Sequence, residues 1–535
     1  MNSCLWAGRG FVLLAIHILA YSAPAFMLAI GYHTQLSGMP APSTPAEQRQ
    51  GQRSIAHVCW GLASLLLLAL ILRLTVLLVH TGTHETYTYE HGEIAQNLLA
   101  GKGFSVRFLG AEGPTSQQAP GYPILLAGGY SLWGGENDSA LLLMQIVQAA
   151  IGAALAPLVA WLAWSLLPGQ RLLGWMAGML AALAPPHIYM VTHIQVVTWA
   201  AFWLTLLLAL CCSARCASRW WGMIGAGAIT GIMLLFEPIL ALVTPLAALS
   251  AFRSNRASHP VWPSLARVGA MAAVAWLVVL PWLVRNYRVH GEFVFIKSTF
   301  GYAFWQGNNP ASWGTDKVPK ASAEGMAEQH DGSLAGMDAA LWNARHETIY
   351  IDDLLPQPGQ YKKLRGLSEL ERSRLLGREA AAFITAEPRA YLRLCGQRLK
   401  YFLLGDETNP KSQHWLFRLC NGSWLAMFVA GLVLLRKEWK PLLPVLGVFV
   451  IVMLFHTLTI TSMRFRIPVE PLTLVWCAAP LTAIATAIRR RLSKHDPSAE
   501  RWSNEWSRLV ATPPADQPQS AVPLSDRMEN VAPPV

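Results

Sequence analysis

The residues best placed to do chemistry follow the first long apolar run of the chain. Glu90, Glu93 and Asn97 stand in a polar segment, Tyr87 to Phe104, wedged between two apolar runs. Advancing 100° per residue, these three fall within an arc of about 60°, while Ile94, Ala95, Leu98 and Leu99 occupy the adjoining and opposite sides. The spacing predicts an amphipathic helix over 90–100, lying at the membrane interface. Two carboxylates one turn apart repel, which raises the proton affinity of at least one, and either could take a proton from an acceptor hydroxyl or amine. An interfacial helix with a merely solvated face has the same pattern.

Other ionisable and amide groups gather on the same side of the chain's topological map. Glu237 precedes Pro238 at the end of an apolar run, where an acid near lipid depth is a functional candidate or a helix-terminal cap. Lys102, Arg285, Arg288, Arg464 and Arg466 are basic residues on the side where positive charge is normally scarce, and ordinary snorkelling is the alternative for each. Asn308 and Asn309 could hydrogen-bond a polyol, or simply form a turn before Pro310. His187 and His193 lack a paired ligand spacing, so no metal site is expected. Arg73, inside an apolar run, is expected to pair with an intramembrane acid or to reach the outer edge.

The elements that must position these groups are membrane helices. Of 535 residues 53% are hydrophobic and 14% charged, with mean hydropathy +0.33 and 22 Trp. This composition excludes an ordinary soluble domain. The net charge of +11 resides in basic residues at the ends of apolar runs, which argues for membrane topology and against nucleic acid as a partner. The eight Cys show no metal or disulfide spacing and read as packing residues.

Apolar runs near 56–79, 139–166, 171–190, 195–213, 219–235, 236–252, 265–284, 415–435, 440–460 and 468–488 predict about ten spans, with one more at 11–31. The basic loops at 213–219, 253–256, 436–440 and 489–494 share one side, the cytoplasmic one. The chain thus divides into an extra N-terminal apolar segment and linker (1–55), a membrane domain (56–286) with an outer loop at 80–138, an outer loop domain (287–414) with helical charged stretches such as 367–384, C-terminal transmembrane helices (415–488) and a cytoplasmic tail (489–535) of disordered composition. Glu136 to Ser139 read as a helix cap.

Three ordered landmarks within residues 56–488 carry a family resemblance. The first is Glu90, Glu93-Ile94-Ala95-Gln96-Asn97-Leu98, Gly101-Lys102-Gly103-Phe104, Pro114-Thr115 and Pro120-Gly121-Tyr122-Pro123; the second is 281–309, from Pro281-Trp282 to Asn308-Asn309; the third is 463–471, from Met463-Arg464-Phe465-Arg466. Together they resemble bacterial family 39 glycosyltransferases of the C-type superfamily, relatives of the protein O-mannosyltransferases and the lipid A aminoarabinose transferase. The resemblance implies an all-α polytopic membrane protein, a C-type glycosyltransferase-like bundle of about 10–11 transmembrane helices with a helical first outer loop and a small extracytoplasmic cap. It also implies sugar transfer with inversion from a polyprenyl-phosphate-linked donor to a lipid, glycan or protein acceptor, at the outer face of the bacterial inner membrane.

In the family an Asp-Glu pair in the first loop supplies the base. Tyr87 and Thr88 occupy those positions here, and Glu90 is the candidate that remains, with Glu93, Asn97, Lys102, Glu237, Arg285, Asn308, Arg464 and Arg466 as candidates for binding substrate. Arg forks hold phosphate in a bidentate manner where Lys offers a point charge. No cofactor is expected. A transporter or flippase of lipid-linked saccharides is the alternative from another class, but the broken-helix repeats it calls for are not evident; a family member without catalysis is a third reading.

Overall fold

The computed structural model describes residues 45–80, 86–108, 111–318, 325–326, 329–347, 349–350, 364 and 366–495. The apolar run at 11–31 and the tail beyond 495 lie outside these residues. The chain starts with α1 (Pro45–His80), then the first outer loop with α2 (Tyr89–Leu99), the hairpin β1 (Ser105–Phe108) and β2 (Ala111–Pro114), and α3 (Gly121–Tyr130). The membrane bundle continues through α4 (Asp138–Leu166), α5 (Arg171–Leu183), α6 (Val197–Cys212), α7 (Trp220–Phe236), α8 (Thr244–Arg256) and α9 (Val261–His290). Outside it lie α10 (Phe300–Gly307), the two-residue strands β3 (Lys317–Val318) and β4 (Ile349–Tyr350) with α11 (Leu334–Glu347) between them, α12 (Glu369–Ala386) and α13 (Pro388–Leu403). Helices α14 (Trp415–Leu434), α15 (Trp439–Leu458) and α16 (Glu470–His495) complete the bundle.

Each of the ten apolar runs within the described residues is met by a helix, and six helices are long and apolar enough to cross a membrane. Helices α5, α6 and α7 are apolar but shorter. The expected span at 236–252 departs from its prediction. Pro238 and Pro245 each remove a backbone donor, so the segment breaks into a 3₁₀ turn at Pro238–Val243 and the short α8. The protein is a mostly helical, multi-span membrane protein, and among the described residues two small antiparallel strand pairs are added to an all-α plan.

Packing follows the apolar faces. Helix α4 is buried along most of its length and packs against α1, α5 and α6; α7 lies on α9, and α14 on α16. Asn137 caps α4, its Oδ1 accepting from the Ala140 amide at 3.0 Å, and Ser368 opens α12 with a capping box to Glu371. Arg73 neither meets an acid nor reaches the surface. It is fully buried, and its guanidinium donates to the carbonyls of Ala181 and Ala182, both at 3.3 Å, at the C-terminal end of α5. Carbonyls orphaned at a helix end and the negative pole of its dipole offer a buried cation what a carboxylate would.

Candidate active site

Helix α2 forms where the periodicity placed it, and its neighbours on either side hold it. Thr88 Oγ1 donates to Glu136 Oε1 at 2.9 Å, Gln96 also bonds Glu136, and Ile94 and Ala95 are fully buried. Asn97, expected on the polar face, is buried instead: its Nδ2 donates to the Ser105 carbonyl at 2.9 Å and ties α2 to β1. Glu93 likewise turns to the hairpin, accepting from the Arg107 amide at 2.8 Å. Lys102 is exposed and lies 3.9 Å from Glu112. Glu90 has no such role in the hairpin.

The residue before Glu90, Tyr89, sits at φ +51°, and the residue before Lys297, Ile296, at φ +54°. These are the non-glycine residues of positive φ among those described. Each costs about 1–3 kcal/mol and persists only where the surroundings over-determine it. At Ile296 the determinants are plain. The Lys297 amide donates to the Phe295 carbonyl at 2.6 Å, which makes the rare strained γ-turn. The Ile296 side chain is fully buried, and its carbonyl accepts from Asn286 Nδ2 and from Trp282 Nε1, both at 3.1 Å. Beyond the turn the Ser298 amide donates to the Ser116 carbonyl at 2.9 Å. The effect is to aim Lys297 at the first loop, where its ammonium donates to Gln118 Oε1 at 3.0 Å.

Lys297 is the residue that brings the site together. Burial pushes its amine down from the ordinary lysine value; Glu237 and Glu90 pull it back up, and Arg464 pushes it down again. Burial raises the Glu237 carboxyl, which Lys297, Arg464 and the Ile239 amide lower in turn. His91 is held down at about 3, by burial first and then by Lys297 and Arg464, so it is neutral. Two carboxylates and two cations therefore share one field at the end of the bundle that carries α2, and all four side chains belong to residues that are neither sealed in the core nor fully exposed. Arg464, on the turn Met463–Phe465, is 4.0 Å from Asp316 and lies over the Phe465 ring.

Arg285, Arg466 and Asn308, expected among the substrate ligands, are each engaged by other parts of the fold. Arg285 donates to the carbonyls of Thr115 (2.6 Å) and Phe104 (3.0 Å) and to Ser116 Oγ (3.0 Å), which locks the first loop onto α9. Arg466 forms a buried pair with Glu470 at 2.9 Å and donates to the Phe402 and Leu403 carbonyls at the end of α13. Asn308 is fully buried, donating to the Phe304 and Thr459 carbonyls, while its oxygen accepts from Arg398 at 3.2 Å. His187 lies 3.9 Å from Glu470 and His193 stacks near Tyr189 and Trp342. Among the described residues no group of three or more His, Cys, Asp or Glu is arranged to hold a metal ion.

Ser116, His290 and Glu369 also meet, with Ser116 Oγ 2.8 Å from His290 Nε2 and Glu369 Oε1 3.8 Å from that same nitrogen. Both contacts use one ring nitrogen, so the acid does not orient the imidazole from the far side as a nucleophilic triad requires. Glu369 instead accepts from Thr115 Oγ1 at 2.5 Å and from the Ser116 amide at 2.8 Å, a joint between the first loop and α12. Sequence reasoning missed Lys297. The available signal was a lone cation directly after the apolar stretch 293–296 in an outer segment, but the strained turn that aims it has no signature in residue type.

No protein-family model matches the chain, and no curated protein does. Among solved structures, the oligosaccharyltransferase AglB of Archaeoglobus fulgidus, in complex with an inhibitory peptide and a dolichol-phosphate, is similar at TM-score 0.47 and 13% identity, covering 84% of this chain and 54% of that one. The same archaeal enzyme tethered to an acceptor peptide gives TM-score 0.48 and 15% identity over 81% of this chain and 50% of that one. ArnT of Cupriavidus metallidurans bound to undecaprenyl phosphate gives TM-score 0.34 and 15% identity, covering 79% of each chain. The chain spans about half the length of the archaeal structures.

Proposed function

We propose that this protein is a membrane glycosyltransferase of the C-type kind, transferring a sugar from a polyprenyl-phosphate-linked donor to a lipid, glycan or protein acceptor at the outer face of the bacterial inner membrane. The observation that supports the reading is the strained backbone immediately before both Glu90 and Lys297, with Lys297 turned onto Gln118 of the first loop and within the electrostatic reach of Glu90, Glu237 and Arg464. Strain of this kind gathers where a side chain must be held in place for function.

In this scheme Glu90 takes the proton from an acceptor hydroxyl or amine as that atom attacks the anomeric carbon. The bond between the anomeric carbon and the phosphate oxygen breaks, and its electron pair stays with the phosphate. The charge that develops on the leaving polyprenyl phosphate faces Lys297 and Arg464, cations already partly stripped of water, where electrostatic stabilisation is strongest. Glu237 supplies part of the counter-charge to Lys297 in the absence of donor. One base at the acceptor and fixed positive charge at the leaving group suffice for an inverting displacement.

The test is release of polyprenyl phosphate from a labelled donor by the purified protein. Glu90→Gln is expected to lower turnover by two or more orders of magnitude, the usual contribution of a positioned base, with thermal stability unchanged. Wild-type turnover in that variant would remove Glu90 from the role. A transporter would move the labelled donor across a bilayer without releasing polyprenyl phosphate at all.

A further inference from the structure

At the end of the bundle opposite α2, residues 213–223 and 252–267 contain Arg215, Arg219, Arg253, Arg256, Arg267 and His259, and no Asp or Glu. The two loops are laced together: Ser254 Oγ donates to the Cys212 carbonyl at 3.2 Å, and His259 Nε2 lies 3.1 Å from the Ser218 carbonyl. Helix α7 begins at Trp220 and α9 at Val261, so their first turns frame the same patch.

Arg267 has fewer hydrogen bonds than three other buried arginines. Arg73, Arg398 and Arg466 each make three or more hydrogen bonds to the protein. Arg267 is only 9% exposed, donates one hydrogen bond to the Pro263 carbonyl at 3.0 Å, and leaves its Nε buried with no partner. Its guanidinium lies 5.1 Å from the Trp220 ring centroid, a cation–π contact. A buried guanidinium without a counter-charge gives up its hydration, which one ring face does not replace. An anion delivered from outside the protein would.

The surroundings specify which anion. Trp221 is 61% and Trp262 79% exposed, and Arg219 lies 5.7 Å from the Trp221 ring centroid. Exposed Trp beside Arg at the ends of apolar helices marks the headgroup level of the bilayer, and basic pockets between helix ends on the cytoplasmic side suit phosphate headgroups. We propose that Arg219, Arg253, Arg256 and Arg267 form a site for the phosphodiester headgroup of an anionic phospholipid in the leaflet opposite the candidate active site. The lipid supplies the charge that Arg267 lacks and fixes the first turns of α7 and α9 against α8.

The test uses the full chain in phosphatidylcholine nanodiscs with phosphatidylglycerol added stepwise. Lipids retained on the protein are counted by native mass spectrometry, and thermal unfolding is followed in parallel. Wild type is expected to retain phosphatidylglycerol over phosphatidylcholine and to gain thermal stability from it. Arg253→Ala with Arg256→Ala should weaken that preference by about fivefold per arginine, the factor equivalent to about 1 kcal/mol per basic residue near a charged surface. Arg267→Gln should abolish the stabilisation while unfolding at or above the wild-type temperature in pure phosphatidylcholine, because it removes an uncompensated charge. Arg436→Ala with Lys437→Ala, in a basic loop that carries its own Glu438, should change nothing. No preference in wild type would overturn the proposal, as would an equal loss in the Arg436/Lys437 variant. Stabilisation by inorganic phosphate alone, matching that by phosphatidylglycerol, would replace the lipid by a free anion.

Discussion

Lys297→Met is the most discriminating change that the site offers. The substitution keeps the length and apolar stem of the side chain and removes one positive charge from a field shared with Glu90, Glu237 and Arg464. For partly buried charges separated by about 4 to 8 Å, an effective dielectric near 20 gives roughly 2–4 kcal/mol per pair. In the ground state the loss is offset, because Lys297 gives up its interactions with both carboxylates when it turns to the phosphate. In the transition state, with an additional charge growing on the leaving oxygen, the loss is not offset. A net cost of about 3 kcal/mol in the transition state corresponds to roughly a hundredfold fall in kcat/KM. The readout is release of polyprenyl phosphate from a labelled donor, with Lys297→Arg retaining a measurable fraction of the rate. Thermal unfolding of Lys297→Met should change little in a Glu237→Gln background, where the carboxylate that the missing amine compensated is also gone. Activity within twofold of wild type in Lys297→Met would refute the reasoning, because the site would then have no need of the charge that the strained turn at Ile296 presents.

Glu237 titrates above the ordinary carboxylate range, chiefly because it is buried. A carboxyl raised on folding contributes stability below its unfolded value and loses it as pH rises through the folded one. Glu237→Gln should therefore unfold at a higher temperature than wild type at pH 7.5, and the difference should vanish by pH 4 in a pH series of thermal melts. Arg466→Met should cost about 3–5 kcal/mol by stranding the Glu470 carboxylate, which is buried beside it. Denaturation in detergent would show that loss, and Arg466→Met with Glu470→Leu should recover most of it. At Gly307 an added Cβ would lie 2.1 Å from the Thr459 carbonyl oxygen. Gly307→Ala should thus push α10 away from the segment leading to Arg464, destabilise by about 1–3 kcal/mol and lower activity, with stability and turnover measured on the same preparation.

Much of the architecture was legible in residue type, because a lipid-facing helix is specified locally. A run of about 20 apolar residues has to satisfy its own backbone wherever it packs. Polar residues at helix starts, such as Asn137 and Ser368, and the carboxylates of α2 could be read for the same reason: their signals lie within one or two turns of chain. The division at Pro238 was written in the proline itself, but hydropathy, which averages over a window, obscured it.

The active-site assignment was less legible. Asn97, Arg285, Asn308 and Arg466 carry the residue types that a substrate site needs, and each is taken up by backbone carbonyls, those of the nearby hairpin for Asn97 and of segments distant in sequence for the other three. Whether a buried polar side chain binds a ligand or satisfies the fold depends on which orphaned carbonyls the tertiary structure brings to it, and local sequence has no record of that. Lys297 shows the converse. Its type and position looked ordinary, and only the packing of Asn286 and Trp282 around Ile296, with the first loop drawn in by Arg285, brings its amine to Gln118 and into the field of Glu90 and Glu237. Sequence by itself determined a helical membrane protein with a charged first loop. The tertiary structure alone decided which of its charges share one field, because that depends on distances between groups far apart in the chain, from Glu90 through Lys297 to Arg464.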